Sequence, residues 1–323
     1  YWFYLLSEGG SNTNDKGDTY TITGIGVEKA ERILVEGLDK LKDGPIPNRS
    51  AKFGQLREYT IVAAGDLYGN CSTEVIETMN AWYAVGVGTN EPELWMKDGE
   101  SDIGLEPNEY RFVYDEETGD IIDEDIWASP DLWNRLEVDI DNFNIIEKVH
   151  QQPAQDEIGS INNTLLVEVH NTATCSSPSA NVHLYWTIAS TGETWDGDVE
   201  ANNDWINATY TVGDNTCLVG DEIGTITILN DDIPLGETRK YGLEWTPPSQ
   251  TGLESCDVSY DENNPGKFEI CFLARILSTD DPLMGEQNGD NSTKTNVINF
   301  NNIVTRNTFI LPVTGGGFPP IDY

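Results

Sequence analysis

The chain has 323 residues, 38% of them apolar and 10% aromatic, with 18 basic and 56 acidic side chains and a formal net charge of −38. That is enough apolar material for a core, which excludes a wholly disordered acidic chain. A pI near 4.1 excludes nucleic-acid binding, which needs a basic footprint, and disfavours anionic membrane surfaces.

The charge is divided unevenly. Residues 1–89 hold 8 basic and 12 acidic side chains, and the remainder 10 and 44. All three histidines, His150, His170 and His183, lie in the second part. This step points to two domains. No run reaches the roughly 18–20 apolar residues of a membrane span. The opening Trp2-Phe3-Tyr4-Leu5-Leu6 lacks the basic flank and cleavage site of a signal peptide. With no initiator Met, the chain reads as an internal piece of a longer protein.

Residues 20–88 carry a helical period. Val27, Ala30, Ile33, Leu34, Leu38 and Leu41 form one amphipathic stripe, stopped by Asp43-Gly44-Pro45. Gly24-Ile25-Gly26 ahead of it lacks the rest of a phosphate loop and reads as a turn and helix start. A second helix, capped by Ser50 and ended by Gly69, would bury Phe53, Leu56, Val62, Ala63 and Leu67. A third, capped by Ser72 with Glu74 in its first turn, would bury Val75, Met79 and Trp82 and end at Gly86. Short loops make consecutive helices antiparallel neighbours in a small bundle.

From about residue 90 the composition becomes that of strands. Leu165–His170, Val182–Ile188, Thr225–Leu229, Lys267–Ala274 and Phe309–Val313 are rich in β-branched and aromatic residues, with Asn, Asp, Gly and Pro between them. An antiparallel β-sandwich with no further helix is the expected class. Residues 89–139 read as linker and lead-in strands, 140–313 as the sandwich, and 314–323, with Gly315-Gly316-Gly317 and Pro319-Pro320, as a linker.

Several stretches of the first segment are more specific than its period. They are Tyr4-Leu5-Leu6-Ser7-Glu8-Gly9-Gly10, Thr23-Gly24-Ile25-Gly26-Val27-Glu28-Lys29-Ala30, Ala63-Ala64-Gly65-Asp66-Leu67-Tyr68-Gly69, Ser72-Thr73-Glu74-Val75 and Ala81-Trp82-Tyr83-Ala84-Val85-Gly86-Val87-Gly88. In order and spacing they resemble the C-terminal helical domain of thermolysin-like zinc metallopeptidases, over residues 1–88. The resemblance implies a hydrolase of peptide bonds, acting on proteins or peptides. Its zinc would be held by two His of an H-E-x-x-H motif and a later Glu, with a further His just upstream of the helix containing Tyr1–Leu6. This chain has no H-E-x-x-H and no His before His150, so no catalytic, cofactor-binding or zinc-ligating residue of the family is placed on it. The zinc would belong to the parent enzyme.

Residues Asp125–Trp133, Val182–Trp186, Cys271–Ile276, Asp280-Asp281-Pro282 and Asn296–Ile303 look like an immunoglobulin-like accessory module of secreted bacterial proteins. That resemblance implies a secreted, extracellular setting, and it names no ligand for the module. A non-enzymatic adhesion or binding protein with a degenerate peptidase-like domain is the alternative reading.

The five cysteines show no C-x-x-C, so a zinc ribbon is not expected. Cys175–Cys217 and Cys256–Cys271 are the expected disulfides, though sequence does not fix connectivity, and Cys71 is left over. His170 and His183 lie in expected strands, where ordinary strand histidines are a plainer reading than a shared metal. His150 lies in a polar loop and is expected to be solvated. Asp261–Gly266 and Asp280-Asp281 offer oxygen donors of the kind calcium takes, without EF-hand spacing. Solvated turns are the plainer expectation there.

Overall fold

In the computed structural model, residues 1–43, 53–88, 94–102, 104, 108, 112–114, 121–123, 125–138, 142–155, 161–171, 177–189, 193–196, 203–234, 236–256, 268–279, 283 and 286–312 are described. The described residues of 1–88 form four helices and a hairpin: α1 (Trp2–Glu8), β1 (Gly10–Thr13), β2 (Thr19–Ile22), α2 (Val27–Asp43), α3 (Phe53–Tyr68) and α4 (Thr73–Ala84). The hairpin was not legible in the helical period. Gly9 makes the turn from α1 into it at φ 77°, and a Cβ there would meet the carbonyl oxygen of Ile22 at 2.6 Å.

The helix ends follow local chemistry. Ser72 caps α4 by accepting from the backbone N–H of Val75. α3 ends before Gly69, whose φ is 93°. The Ser50 cap expected for α3 lies outside the described residues. Trp2, Leu5 and Leu6 pack with Tyr20, Ile22, Ala30, Ala81 and Trp82 in one cluster. Ile33, Ile61, Ala64, Val75 and Met79 form a second.

The expected faces hold for α4 but only partly elsewhere. Val27 and Leu38 of α2, and Phe53 and Val62 of α3, are exposed. α3 instead buries Gln55, Arg57, Glu58 and Thr60 beside Ile61, Ala63 and Ala64. These inward polar groups are paired: Arg57 with Glu58, and Thr60 with the Trp82 indole, which donates to its Oγ1 at 2.9 Å. Burial pushes the Glu58 carboxyl up, against the opposing charge of Arg57.

The rest of the chain supplies β3 (Leu94–Trp95), β4 (Phe112–Tyr114), β5 (Ile121–Asp123), β6 (Leu132–Leu136), β7 (Ala154–Gln155), β8 (Asn163–Asn171), β9 (Ala180–Ile188), β10 (Ala208–Val212), β11 (Asn215–Ile228) and β12 (Thr238–Trp245). α5 (Gln250–Glu254), β13 (Phe268–Ser278), α6 (Ser292–Asn299) and β14 (Ile303–Pro312) follow among the described residues. A six-stranded sheet runs β10-β11-β9-β13-β14-β7. A smaller one runs β12-β8-β3, with β6 also paired to β8. β4 and β5 form a separate hairpin. One apolar cluster takes side chains from both larger sheets, with Leu165, Val167 and Val169 of β8 meeting Leu184, Ile226, Ile270 and Phe272.

Two expectations need correction. The larger sheet is mixed, because β7 runs parallel to β14 through Leu311↔Ala154 and Pro312↔Gln155. Helices also continue past residue 90, in α5 and α6. α6 is held on both sides: the Asn296 amide bonds the backbone N–H and C=O of Gln287, and Val297 fills the core beside Trp205. From the stretch expected as linker and lead-in strands, β3 and β6 are hydrogen-bonded into the smaller sheet.

The cysteine pairing also differs. Cys217, on β11, and Cys256, just after α5, form the disulfide, with Cα atoms 6.1 Å apart. Cys271 is fully buried in mid-β13, between its ladder partners Thr187 and Asn307, and is not disulfide-bonded. Cys175 lies outside the described residues, and Cys71 is exposed.

Candidate functional site

Side chains in a strand alternate between faces. Leu165, Val167 and Val169 of β8 enter the shared core, so Glu168 and His170 lie on the opposite face. β6 pairs antiparallel beside them with Leu132↔Val167, which brings Asp131, the residue before β6, next to Glu168. The Glu168 backbone N–H donates to the Asp131 carbonyl at 2.9 Å. Lys148, from the segment leading to β7, reaches over this face. Asp131, Glu168 and His170 together place three ligand-type atoms within 4.8 Å of one another.

The two Asp131 carboxylate oxygens are used differently. Oδ2 accepts from the Lys97 backbone N–H at 2.7 Å and faces His170 Nε2 at 2.6 Å. Oδ1 meets Lys148 Nζ. The same Nζ lies 2.7 Å from Glu168 Oε2 and 5.8 Å from the centroid of the Trp133 ring. The Trp95 indole stacks on His170 at 4.4 Å. None of the Asp131 side chain is exposed, against 30% for Lys148 and 11% for Glu168.

Burial alone would raise the Asp131 carboxyl, but His170 and Lys148 hold it below the ordinary carboxylate range. Burial pulls the Lys148 ammonium down, and Asp131 and Glu168 more than compensate, leaving it raised. Glu168 also lines an open cavity of about 520 Å³ with Asn144, Asp232, Arg239 and Lys240.

A second buried carboxylate pair lies nearby in sequence to β3. Asp102 accepts from the backbone N–H groups of Asp98 and Gly104 at 3.1 and 2.8 Å. Asp98 Oδ1 accepts from the Asn108 amide at 2.6 Å. Burial first, then the charge of Asp98, push the Asp102 carboxyl well up.

The three histidines have separate surroundings. His183 lies on β9, in the other sheet from His170, with Nδ1 3.0 Å from Glu222 Oε1. The structure therefore does not bring the two strand histidines together. His150 is not solvated as expected: its Nδ1 accepts from the Asn134 backbone N–H at 3.1 Å and its Nε2 lies 2.7 Å from Thr308 Oγ1. Burial, then the charge of Arg306, lower its pKa to about 3. The acidic turns considered for calcium, Asp261–Gly266 and Asp280-Asp281, lie outside the described residues.

Sequence reading missed Asp131, Lys148 and Glu168 as a unit. The one local signal was Glu168-x-His170, two polar side chains on one face of the otherwise apolar stretch Leu165–His170. The chemistry of this set does not fit a catalytic zinc. The space a cation would take between Asp131 and Glu168 is filled by the Lys148 ammonium, and residues 1–87 contain no His at all.

A transglutaminase-activating metalloprotease of Streptomyces mobaraensis is 33% identical over an alignment of 97 residues, covering 27% of this chain and 12% of that protein. This chain thus spans about an eighth of that relative's length. Among solved structures, a β-glucosidase from Erythrobacter marinus aligns with 62% of this chain and 19% of its own, at 13% identity and TM-score 0.22. A crustacean hemolymph-type prophenoloxidase aligns with 97% of this chain and 52% of its own, at 9% identity and TM-score 0.26. Likeness at that level defines no shared fold. Residues 1–87 match the family model described as the thermolysin metallopeptidase alpha-helical domain.

Proposed function

We propose that this chain is the C-terminal part of a secreted, thermolysin-like zinc metalloendopeptidase. Residues 1–88 would be its C-terminal helical domain, and residues 140–313 an immunoglobulin-like accessory module. The observation that carries this reading is the match of residues 1–87 to the thermolysin metallopeptidase alpha-helical domain, supported by the metalloprotease relative. The helical part would form a wall of a substrate cleft and stabilise it, with protein or peptide substrates. Zinc and the groups that activate water would come from other residues of the parent, since the matched residues hold no His and a site of this type needs three protein ligands and a base. The accessory module would hold the enzyme near a surface or substrate, or act as a spacer.

Expression of the complete reading frame that encodes this chain tests the proposal. Chelator-sensitive hydrolysis of casein, lost when residues 1–87 are deleted, is the expected result. A complete product that folds and takes up zinc but cleaves no protein would overturn it in favour of a binding or adhesion protein.

A further inference from the structure

The geometry points to a side-chain amide bond between Lys148 and Asp131, formed by the folded chain itself. Three features of the cluster carry this. The amine of Lys148 is held against one oxygen of a carboxylate with no exposed surface. Two donors, the Lys97 backbone N–H and His170, converge on the other oxygen at 2.7 and 2.6 Å. A second carboxylate, Glu168, contacts the same amine at 2.7 Å. A nucleophile, a proton acceptor and an oxyanion-stabilising pair of donors are the parts that acyl transfer requires.

The step balances within the chain. Glu168 takes a proton from the Lys148 ammonium and passes it to Asp131 Oδ1, giving a neutral amine and a neutral acid. Nζ then attacks the Asp131 carboxyl carbon, and charge developing on Oδ2 is met by Lys97 N–H and His170. A second proton from Nζ, again relayed by Glu168, reaches Oδ1. The carbon–Oδ1 bond breaks and water leaves. Oδ2 remains as the amide carbonyl on the same two donors, and Glu168 returns to its starting state. The ammonium and carboxylate charges are both consumed and no other reactant is used.

In water the reverse, hydrolysis, is favoured by hydration of the two ions. Here Asp131 has no exposed surface and Lys148 is 30% exposed, so the pair lacks much of the hydration that favours the free ions in water. Attachment of both groups to one framework replaces a bimolecular encounter. The partly exposed side of Lys148 leaves the released water a way out. Other described lysine ion pairs lack this setting: Lys29–Glu74 and Lys40–Asp66 sit on helix surfaces, with 49% of Lys29 and 57% of Asp66 exposed. The bond would fasten the segment around Lys148 to the start of β6.

Intact-mass measurement on the purified, folded full chain, denatured and reduced just before analysis, tests this. The expected mass is one water below that of the sequence, in protein whose circular dichroism shows it folded. Trypsin should fail to cut after Lys148, and fragment spectra should join the peptide carrying Asp131 to the one carrying Lys148. Lys148→Arg and Glu168→Gln chains with unchanged circular dichroism should keep the full mass. Folded wild-type protein that keeps its full mass after prolonged incubation would overturn the proposal. So would a water loss that persists in Lys148→Arg.

Discussion

Trp2 on α1 and Trp82 on α4 stack with ring centroids 4.5 Å apart and planes inclined by 23°. The contact ties the first helix of the chain to the last helix of the helical domain. The same Trp82 donates its indole N–H to Thr60 on α3, so one side chain, 2% exposed, joins three helices. Trp82→Ala should destabilise the helical domain by about 3–5 kcal/mol, the cost of emptying a large buried aromatic site. Denaturant unfolding followed by far-ultraviolet circular dichroism measures it. A loss under about 1 kcal/mol would mean the three helices are held elsewhere.

The Cys217–Cys256 bridge closes a separation of 39 residues. Cross-linking across that distance restricts the unfolded chain, and the expected contribution is about 2–4 kcal/mol. A Cys217→Ser, Cys256→Ser chain should unfold at lower denaturant by that amount. Peptide mapping of unreduced protein should find this pair, with Cys271 as an unmodified thiol.

His150 gives the β-rich part a defined acid sensitivity. Its pKa falls from 6.5 to about 3 on folding, so between those values the unfolded chain binds the extra proton. Stability contributed by the neutral imidazole is complete above the unfolded value and declines as pH falls toward 3, with a slope of up to about 1.4 kcal/mol per pH unit. His150→Gln should flatten the stability curve across this window. Unfolding midpoints between pH 7 and 4 for both chains check it, and parallel curves would contradict the assignment.

Much of the helical part was legible because its signals are local. Ser72 caps α4, Gly69 follows the end of α3, and the residues after Gly26 open α2. The inward face of α3 was not legible. Its polar residues Arg57, Glu58 and Thr60 are buried because partners from the same and neighbouring helices satisfy them, while Phe53 and Val62 are left outside. In the β-rich part, the strands around residues 165–170, 182–188 and 268–274 stand where their composition placed them. The parallel β7–β14 pair did not show, since two residues carry no period. The Asp131 cluster draws on residues from Lys97 to His170. The β6–β8 register and the path of the segments carrying Lys97 and Lys148 bring these together, and no local spacing encodes it.

Proteolysis and metal content of this chain, measured together, test the central proposal, that residues 1–88 are the helical domain of a peptidase whose chemistry would reside elsewhere in the parent. The purified chain, supplied with zinc, dialysed and assayed on casein, should retain far less than one zinc per molecule and show no chelator-sensitive cleavage. About one tightly held zinc per chain, accompanied by chelator-sensitive cleavage, would contradict the account and place an active site within these residues.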